Sequence, residues 1–463
     1  MTANGNSEEE LAAKPFTPER VVYITAGAGG MYCGSCLNDN TLARSLKKLG
    51  VDVELVPTYT PITTDEQDVS IDQVFFGGIN VYLQQKVPFL RRLPSFFDRF
   101  LNNAKLIRWA TKKDIQANPD MLGEMTVSML KGMAGFQKKE MQHLLDYLTS
   151  AKPQIINFTN ALIAGCAREI KLALDCPIVV TLQGDDIFLD YIPEKYAWQS
   201  IEQIRQLSEI IDAYVVHSDY YADYMSDRLG IPRSKFHVVK LGIDADDFHG
   251  VSNTAEKNGA ELGGAKSSKA KQVGYLARLT PEKGFHLLCD AFIRMRESRD
   301  DVELQIAGWL GTEHQEYADE QFKRLDAAGL ENAYTYHGTV DRAEKVNFLQ
   351  SLDVFTVPTT YREPKGRFAL EAMACGVPLV LPEHGAFPEM VAETKAGVLV
   401  KPSDAAHLAE ELLKLLDDAE RRREFGEAGR TSILSHRNAE SMARQTLKLY
   451  QSLLEKHHDV SKS

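Results

Sequence analysis

The sequence predicts an α/β fold with two doubly wound sheets that face each other across a cleft. At 463 residues the chain is longer than one hydrophobic core usually organises, so at least two domains are expected. Short apolar runs alternate with amphipathic stretches almost from end to end, as they do where helices cover both faces of a parallel sheet. A stretch rich in Gly, Ala, Ser and Lys divides this alternation into two halves.

Each half contains six candidate strands. Those of the first half are VVYIT (21–25), VDVELV (51–56), QIINF (154–158), PIVVTL (177–182), AYVV (213–216) and FHVVK (236–240). Those of the second half are QVGYLA (272–277), VELQIAG (302–308), YTYHG (334–338), VFTVP (354–358), VPLVLP (377–382) and GVLV (397–400). Helix-length segments such as 162–174 and 197–211 lie between them. Most of these runs are nearly continuously apolar, which favours buried parallel strands over half-exposed antiparallel ones.

The same pattern predicts the domain boundaries. Residues 251–272 contain no aromatic side chain and too little apolar surface to order themselves, so they are interpreted as an exposed loop or hinge. The predicted organisation is a disordered tail (1–18), a first Rossmann-like domain (19–245) with an insertion around 60–150, a linker (246–272), a second Rossmann-like domain (273–435), and a C-terminal helix (436–463) that packs back on the first domain. In such folds ligands bind at the carboxyl ends of the strands, here the cleft.

Composition and charge narrow the class of protein. Lysine and arginine number 53 against 65 aspartate and glutamate residues, a net charge of −12. Nucleic-acid binders are usually basic, so no nucleic-acid partner is expected. No apolar run reaches the ~18 residues that a membrane-spanning helix needs. The polar, acidic start of the sequence is unlike a signal peptide, and a cytoplasmic location is therefore expected.

The six cysteines are expected to be reduced thiols, as is usual in the cytoplasm. Cys33 and Cys36 form a C-x-x-C pair, but no second pair follows at zinc-site spacing. Packing in the first turn of a helix is therefore favoured over metal or redox chemistry at this pair.

The strongest functional signal is YREPKGRFALEAMACGVPLVLPEHGAFPEMV, residues 361–391. Glu363 and Glu371 stand on either side of Gly366, where a loop turns into a helix after the VFTVP strand. The amino terminus of a helix offers free N–H groups and a positive dipole end to a phosphate. Solvated surface glutamates are the alternative, but the Pro–Lys–Gly break between them and the small residues of the helix argue against it.

A second signal is VGYLARLTPEKGF, residues 273–285. Arg278 and Lys283 follow the first strand of the second half and precede its first helix, which places them at the carboxyl end of a strand. Two cations five residues apart suit a diphosphate, with a planar fork from Arg and a point charge from Lys. Alone the pair is weak, but beside the two glutamates it points to a phosphate-bearing ligand.

These motifs resemble the nucleotide-sugar-binding domain of family-4 glycosyltransferases (glycosyl transferases group 1), whose fold is termed GT-B. That family carries an Arg…Lys pair after the first strand and a Glu-x7-Glu motif followed by Glu-Ala-Met-Ala-x-Gly-x-Pro, here EAMACGVP (371–378). The resemblance implies that Arg278 and Lys283 hold the donor diphosphate, with Glu371 at the ribose and Glu363 at the sugar. It also implies that the backbone near Gly366, Arg367 and Phe368 cradles the distal phosphate, and that the strand end near Val340 contacts the base.

The first half resembles the family more loosely. In GAGGMYCGSC (27–36) the glycines, Gly29 and Gly30 above all, would let the backbone approach donor phosphate or acceptor. Many relatives have a histidine close to the reacting sugar, and this chain has Gln183 there, in TLQGDD (181–186). Glutamine can donate a hydrogen bond but takes no proton at neutral pH, so no histidine acid/base role is expected. Gln183 and Asp185 are candidates for the acceptor side, and a metal role for Asp185 and Asp186 is disfavoured.

Residues 82–113 are basic within an acidic chain. They carry eight lysines and arginines against one aspartate, with four phenylalanines and one tryptophan interleaved. Three interpretations stay open: an insertion with a solvated basic face, an acceptor-binding lid that would use Arg91 and Arg92, and a patch for the anionic inner face of a membrane.

The resemblance implies a metal-independent, retaining hexosyltransferase. Its partners would be a nucleotide-diphosphate sugar as donor substrate and a glycan, lipid or small-molecule acceptor, with no cofactor and no metal site. The catalytic candidates are Arg278, Lys283 and Glu363. A sugar-nucleotide epimerase of the same fold and a catalytically silent sugar-nucleotide-binding protein are the alternatives.

Overall fold

The computed structural model describes residues 17–27, 33–76, 118–249 and 270–462. Within these ranges the chain forms two α/β domains, each built on a six-stranded parallel sheet, which confirms the predicted fold class.

The first sheet has the strand order β2-β1-β3-β4-β5-β6, and all its neighbours run parallel. Its strands are β1 (Arg20–Thr25), β2 (Asp52–Pro57), β3 (Ile155–Phe158), β4 (Ile178–Thr181), β5 (Ala213–Val216) and β6 (Phe236–Val238). The first domain's described helices are α1 (Gly34–Lys48), α2 (Pro119–Leu130), α3 (Lys138–Ala151), α4 (Ala167–Leu174), α5 (Asp185–Tyr191), α6 (Glu194–Leu207) and α7 (Asp219–Leu229). Every residue of β3, β4 and β5 is buried, as the apolar runs predict for strands covered on both faces.

The second sheet has the order β12-β11-β10-β7-β8-β9, also parallel throughout. Its strands are β7 (Lys271–Leu276), β8 (Val302–Ala307), β9 (Tyr334–Tyr336), β10 (Val354–Phe355), β11 (Leu379–Pro382) and β12 (Gly397–Val400). The helices are α8 (Phe285–Ser298), α9 (Gln315–Ala327), α10 (Arg342–Gln350), α11 (Arg367–Ala374), α12 (Phe387–Thr394), α13 (Ala405–Asp417), α14 (Ala419–Ser435) and α15 (Ala439–Lys462). Read from the other edge, this is the doubly wound order 3-2-1-4-5-6, whose chain reversal between β7 and β10 opens a ligand crevice.

The last helix crosses back to the first domain. The chain passes from β6 to the second domain beside Gly242, where a side chain would collide with the Asn438 carbonyl oxygen at 2.1 Å. α15 then lies along α1, and the Tyr450 hydroxyl donates to Asn157 Oδ1 on β3 over 3.0 Å. No helix within the described ranges is long and apolar enough to cross a bilayer.

Some local predictions differ from the structure. β7 begins at Lys271, two residues before the predicted start of the second domain, because the strand already pairs with β8 there. The predicted helix 162–174 begins as a 3₁₀ segment, Ala161–Cys166, and becomes α-helical only at Ala167. Residues 1–16, 82–113 and 250–269 lie outside the described residues, and so do Gly29, Gly30, Arg91 and Arg92.

Candidate active site

The centre of the cleft on the second-domain side is an ion pair between the partly buried Lys283 and the buried Glu363. Lys283 follows β7, and its Nζ lies 2.9 Å from Glu363 Oε2 and 2.5 Å from the Tyr361 hydroxyl. The same ammonium stands 5.2 Å from the centre of the Phe368 ring, within range of a cation–π contact. Glu363 also accepts a hydrogen bond from the Gly366 N–H over 3.1 Å.

The surroundings of Glu363 keep it ionised. Burial by itself raises the pKa of this carboxyl group, but the Lys283 ammonium, the Tyr361 hydroxyl and the Gly366 N–H outweigh burial and lower its pKa to about 2. Only 4% of the residue is exposed, so the structure does not leave it as a solvated surface glutamate. A fixed negative charge thus lies beside a positive one at the amino terminus of α11.

Gly366 sets the start of α11. Its φ of +66° is in the left-handed region, and an added side chain would lie only 3.0 Å from the Phe387 ring. Both facts favour glycine at this turn. The helix begins at Arg367, and the N–H groups of Arg367 and Phe368 in its first turn have no backbone acceptor among the described residues.

Glu371, one turn further along α11, is engaged by two cations. Its Oε1 accepts from Lys345 Nζ over 3.0 Å and from Arg367 Nε over 3.3 Å. Lys345 comes from α10, which begins just after Val340 with a capping box of Asp341 and Glu344. The structure therefore brings Val340, Glu371 and the start of α11 to the same side of the cleft.

Arg278 lies nearer the surface than the other members of the site. It is 43% exposed at its side chain and pairs with Glu282 on its own loop, with 3.2 Å between Nη2 and Oε1. The Tyr275 hydroxyl and the Thr280 N–H both donate to the Arg278 carbonyl oxygen, which fixes the backbone of this loop at the end of β7.

Two acidic residues of the first domain reach the second domain's cations. Asp65 Oδ2 lies 2.6 Å from Lys345 Nζ, and Glu66 Oε1 lies 3.1 Å from Arg367 Nη2. The side chain of Glu66 is fully buried, and it also accepts from the Thr41 hydroxyl at 2.9 Å. Sequence reasoning missed both residues, because nothing in TTDEQD marks it as an interdomain contact.

On the first-domain side, Gln183 is the hub of a buried hydrogen-bond network. Its Nε2 donates to Asp39 Oδ1 over 2.8 Å and to the Thr159 hydroxyl over 3.1 Å. Its Oε1 accepts from Asn38 Nδ2 over 3.0 Å and from Lys365 Nζ over 2.9 Å. Because both N–H groups donate to Asp39 and Thr159, the amide presents its oxygen, an acceptor, to Lys365 of the second domain. The sequence had suggested that this side chain would act as a donor.

Lys365 was also missed, although it lies inside the E-P-K-G stretch. It is 9% exposed, and besides Gln183 it donates to the Ser35 hydroxyl over 2.9 Å. Among the described residues, no carboxylate forms an ion pair with it. Burial lowers the pKa of this ammonium, and the Cys33 sulfur across the cleft is the largest influence that raises it again.

The histidine that lies behind this network is His217. Its Nδ1 contacts the Val239 carbonyl oxygen at 2.9 Å, and its Nε2 lies 3.2 Å from Asn38 Nδ2. Burial lowers its pKa to about 4, so the ring is neutral at physiological pH. It supports Asn38 and is separated from the cleft by that side chain.

Asp185 is placed differently from the expectation of an acceptor-side residue. Its two carboxylate oxygens accept from the Ala161 N–H at 2.7 Å and the Gln183 N–H at 3.1 Å. Burial raises its pKa to about 7. Asp186 accepts from the Tyr221 hydroxyl at 2.6 Å. Because these carboxylates are engaged by backbone and tyrosine donors, they hold the loop that carries Gln183. Within the described residues, no three histidine, cysteine, aspartate or glutamate side chains are grouped as at a metal site.

Comparison with known proteins agrees with this geometry. Two family models match the chain: Glycosyl transferases group 1 over residues 263–432 and Glycosyltransferase Family 4 over residues 126–247. The glycogen synthase of Mycobacterium tuberculosis is 27% identical over 308 residues, which are 65% of this chain and 69% of that protein.

Solved structures share the fold across nearly the whole chain. The sucrose-phosphate synthase from Thermosynechococcus elongatus superposes with a TM-score of 0.68 at 18% identity, covering 95% of this chain and all of that one. Anabaena HepE, solved in complex with UDP, gives a TM-score of 0.64 at 15% identity, covering 94% of this chain and all of that one.

Two facing doubly wound domains, with a helix amino terminus and paired cations in the cleft, define a nucleotide-sugar glycosyltransferase of GT-B fold. The chain belongs to the glycosyltransferases: the group 1 model matches its second domain and the Family 4 model matches part of its first.

Proposed function

We propose that this protein transfers a hexosyl group from a nucleotide-diphosphate sugar to an acceptor hydroxyl, with retention of the anomeric configuration and without a metal ion. The observation that carries the proposal is the partly buried Lys283–Glu363 pair at the amino terminus of α11. The lysine and the first-turn N–H groups of α11 suit a diphosphate, and the carboxylate can accept hydrogen bonds from sugar hydroxyls.

The donor would lie across the second domain. Lys283, Arg278 and the first turn of α11 would hold the diphosphate, with the ribose at Glu371 and the base near Val340. Lys345 and Arg367 form ion pairs with Glu371, so the ribose hydroxyls would share or replace these contacts. The acceptor, which could be a glycan, a lipid or a small molecule, would enter from the first domain near Gln183.

Bond cleavage between the sugar and the diphosphate develops negative charge on the departing phosphate oxygen. Lys283, Arg278 and the helix end would stabilise that charge electrostatically, the role a divalent cation has in other enzymes. The acceptor oxygen forms its bond to the anomeric carbon from the leaving-group face, and its proton passes to the departing phosphate. No side chain needs to take the proton, which agrees with the neutral Gln183 and the buried His217.

The test is a transfer assay with a panel of UDP-, GDP- and ADP-hexoses and mixed acceptors, run in excess EDTA and followed by NMR. The proposal expects a new glycoside whose anomeric configuration equals that of the donor. A product of inverted configuration, or activity that returns only with Mg²⁺ or Mn²⁺, contradicts it. A changed sugar nucleotide formed without acceptor would identify an epimerase, and binding without any turnover would identify a silent binding protein.

A further inference from the structure

The C-x-x-C pair lies at the start of α1, on the wall of the cleft. Cys33 is the residue that precedes the helix, with φ −108° and ψ 122°, and Cys36 is in the first turn. Cys36 is 1% exposed, whereas Cys33 is partly exposed, and both are free thiols. This order, an accessible first cysteine and a buried second one at a helix amino terminus, is that of redox-active dithiols.

The surroundings of the two thiols differ. Cys33 is the N-cap residue of α1 and Cys36 is in its first turn, where the positive end of the helix dipole favours a thiolate. The pKa of Cys33 is lowered, with the neighbouring Cys36 as the largest cause and the Lys365 charge as a further one, whereas the pKa of Cys36 is raised, with Cys33 as the largest cause. Cys33 is therefore the more readily ionised thiol of the two, and the one that attacks a disulfide.

A cation of the other domain lies on this turn. Lys365 Nζ donates to the hydroxyl of Ser35, the residue directly before Cys36, over 2.9 Å. The Cys33 sulfur is the largest of the influences that raise the pKa of this buried ammonium, although burial still lowers it overall. The charge state of the pair is thus coupled to a contact that joins the two domains.

The other four cysteines differ from this pair. Cys166, Cys176 and Cys289 are buried, and burial raises the pKa of each. Cys375 is partly exposed, as Cys33 is, yet burial raises its pKa to about 12. Low thiol pKa and a neighbouring thiol therefore coincide at one place in the molecule.

We propose that Cys33 and Cys36 form a redox-active dithiol that small-molecule disulfides of the glutathione type convert to a disulfide, and that this conversion loosens the contact of Lys365 across the cleft. The Cys33 thiolate attacks one sulfur of the oxidant, whose S–S bond breaks and releases a thiolate. That thiolate takes the proton of Cys36. The Cys36 thiolate then attacks the Cys33 sulfur of the mixed disulfide and releases the second half of the oxidant as a thiolate. Two protein sulfurs become one disulfide, and the oxidant leaves as one thiol and one thiolate, the latter taking a proton from water.

The disulfide removes the negative charge that faces Lys365. A buried ammonium without a counter-charge is costly, so the oxidised protein is expected to separate Lys365 from Ser35 more readily. This consequence does not depend on the transferase proposal, because it concerns the protein without substrates.

The first experiment equilibrates the full chain with glutathione at varied ratios of reduced to oxidised form, then quenches with acid, alkylates and maps the cysteines by mass spectrometry. The expected result is a Cys33–Cys36 disulfide that grows with oxidant in one two-electron transition, while the other four cysteines stay thiols. Cys36→Ser should stop at a glutathione adduct on Cys33, and the matched control Cys375→Ser should behave as the parent. Reduced Cys33 and Cys36 in oxidised glutathione, or a disulfide with another cysteine, overturns the proposal.

The second experiment tests the coupling to Lys365. Hydrogen exchange of peptides within 361–371 should be several-fold faster in the oxidised than in the reduced protein. The alkylation rate of Cys33 in the reduced protein should titrate below the range of an ordinary thiol, and Lys365→Met should move that midpoint upward. Equal exchange in both redox states, together with an unmoved midpoint in the variant, removes the coupling.

Discussion

Lys365 of the second domain and Gln183 of the first are joined by a hydrogen bond of 2.9 Å between Nζ and Oε1. Gln183 is itself fixed by Asp39 and Thr159, so the bond ties the loop before α11 to the core of the first domain. Gln183, predicted from the sequence as an acceptor-side residue, thus holds a lysine at the cleft.

Replacement of Lys365 by methionine should lower kcat/KM strongly and lower the thermal unfolding temperature only slightly. A hydrogen bond to a charged group contributes about 1.5–3 kcal/mol, so loss of the bond from Lys365 to Gln183 predicts a decrease in kcat/KM of about ten-fold or more. Steady-state kinetics and thermal unfolding of the same samples measure both effects. Lys240→Met is the matched control, since Lys240 also crosses the domains, near Glu389 and Glu393, but lies away from Gln183. Equal losses in the two variants would contradict a specific role for Lys365.

The pairing of Asp65 and Glu66 with Lys345 and Arg367 predicts an effect on stability. The double change Asp65→Asn with Glu66→Gln leaves buried cations with fewer counter-charges, and disruption of such pairs costs about 3–5 kcal/mol. Urea unfolding should show the decrease in unfolding free energy. Asp68→Asn on the same loop is the control, because Asp68 is exposed and accepts only from the Ser70 N–H among the described residues. A double variant as stable as this control would show that the ion pairs across the cleft contribute nothing.

Glu363 makes stability depend on pH in a defined direction. Its pKa of about 2 lies below the ordinary value of 4.5, so its ionised form stabilises the folded state. That contribution, about 3 kcal/mol from the shift, is complete above pH ~4.5 and is lost as pH falls toward 2. The stability difference between the parent and Glu363→Gln should therefore be constant from pH 7 to 5 and shrink by pH 3. Glu424→Gln, an exposed glutamate, serves as control. A difference that stays constant down to pH 3 would contradict the assigned pKa.

The fold could be predicted because its signal is local. Apolar runs that bury every residue of β3 and β4 appear in the sequence as continuous stretches, and Gly366 with its flanking glutamates marks the start of α11. The contacts that join the domains leave no such signal. Lys365 meets Gln183 across 182 residues, and Lys345 meets Asp65 across 280, so no spacing in the sequence links them.

The orientation of side chains was likewise beyond the sequence. TLQGDD suggests three polar side chains at a strand end, but only Gln183 turns toward the second domain, because Asp185 and Asp186 are taken up by the Ala161 N–H and the Tyr221 hydroxyl. These acceptor–donor pairs depend on how the 3₁₀ segment Ala161–Cys166 and α7 pack around the loop, which no local pattern records.

The most direct test of the account is nucleotide binding by the parent and by Lys283→Ala, measured by calorimetry with UDP, GDP and ADP. If Lys283 and the first turn of α11 hold the donor diphosphate, one of these nucleotides binds the parent with a single site. Loss of the Lys283 charge should then weaken binding about ten-fold or more, since a charge-assisted contact contributes about 1.5–3 kcal/mol. Lys401→Ala, an exposed lysine, should bind as the parent does. Equal affinity in the parent and Lys283→Ala would contradict the central claim, and so would a parent that binds none of the three nucleotides.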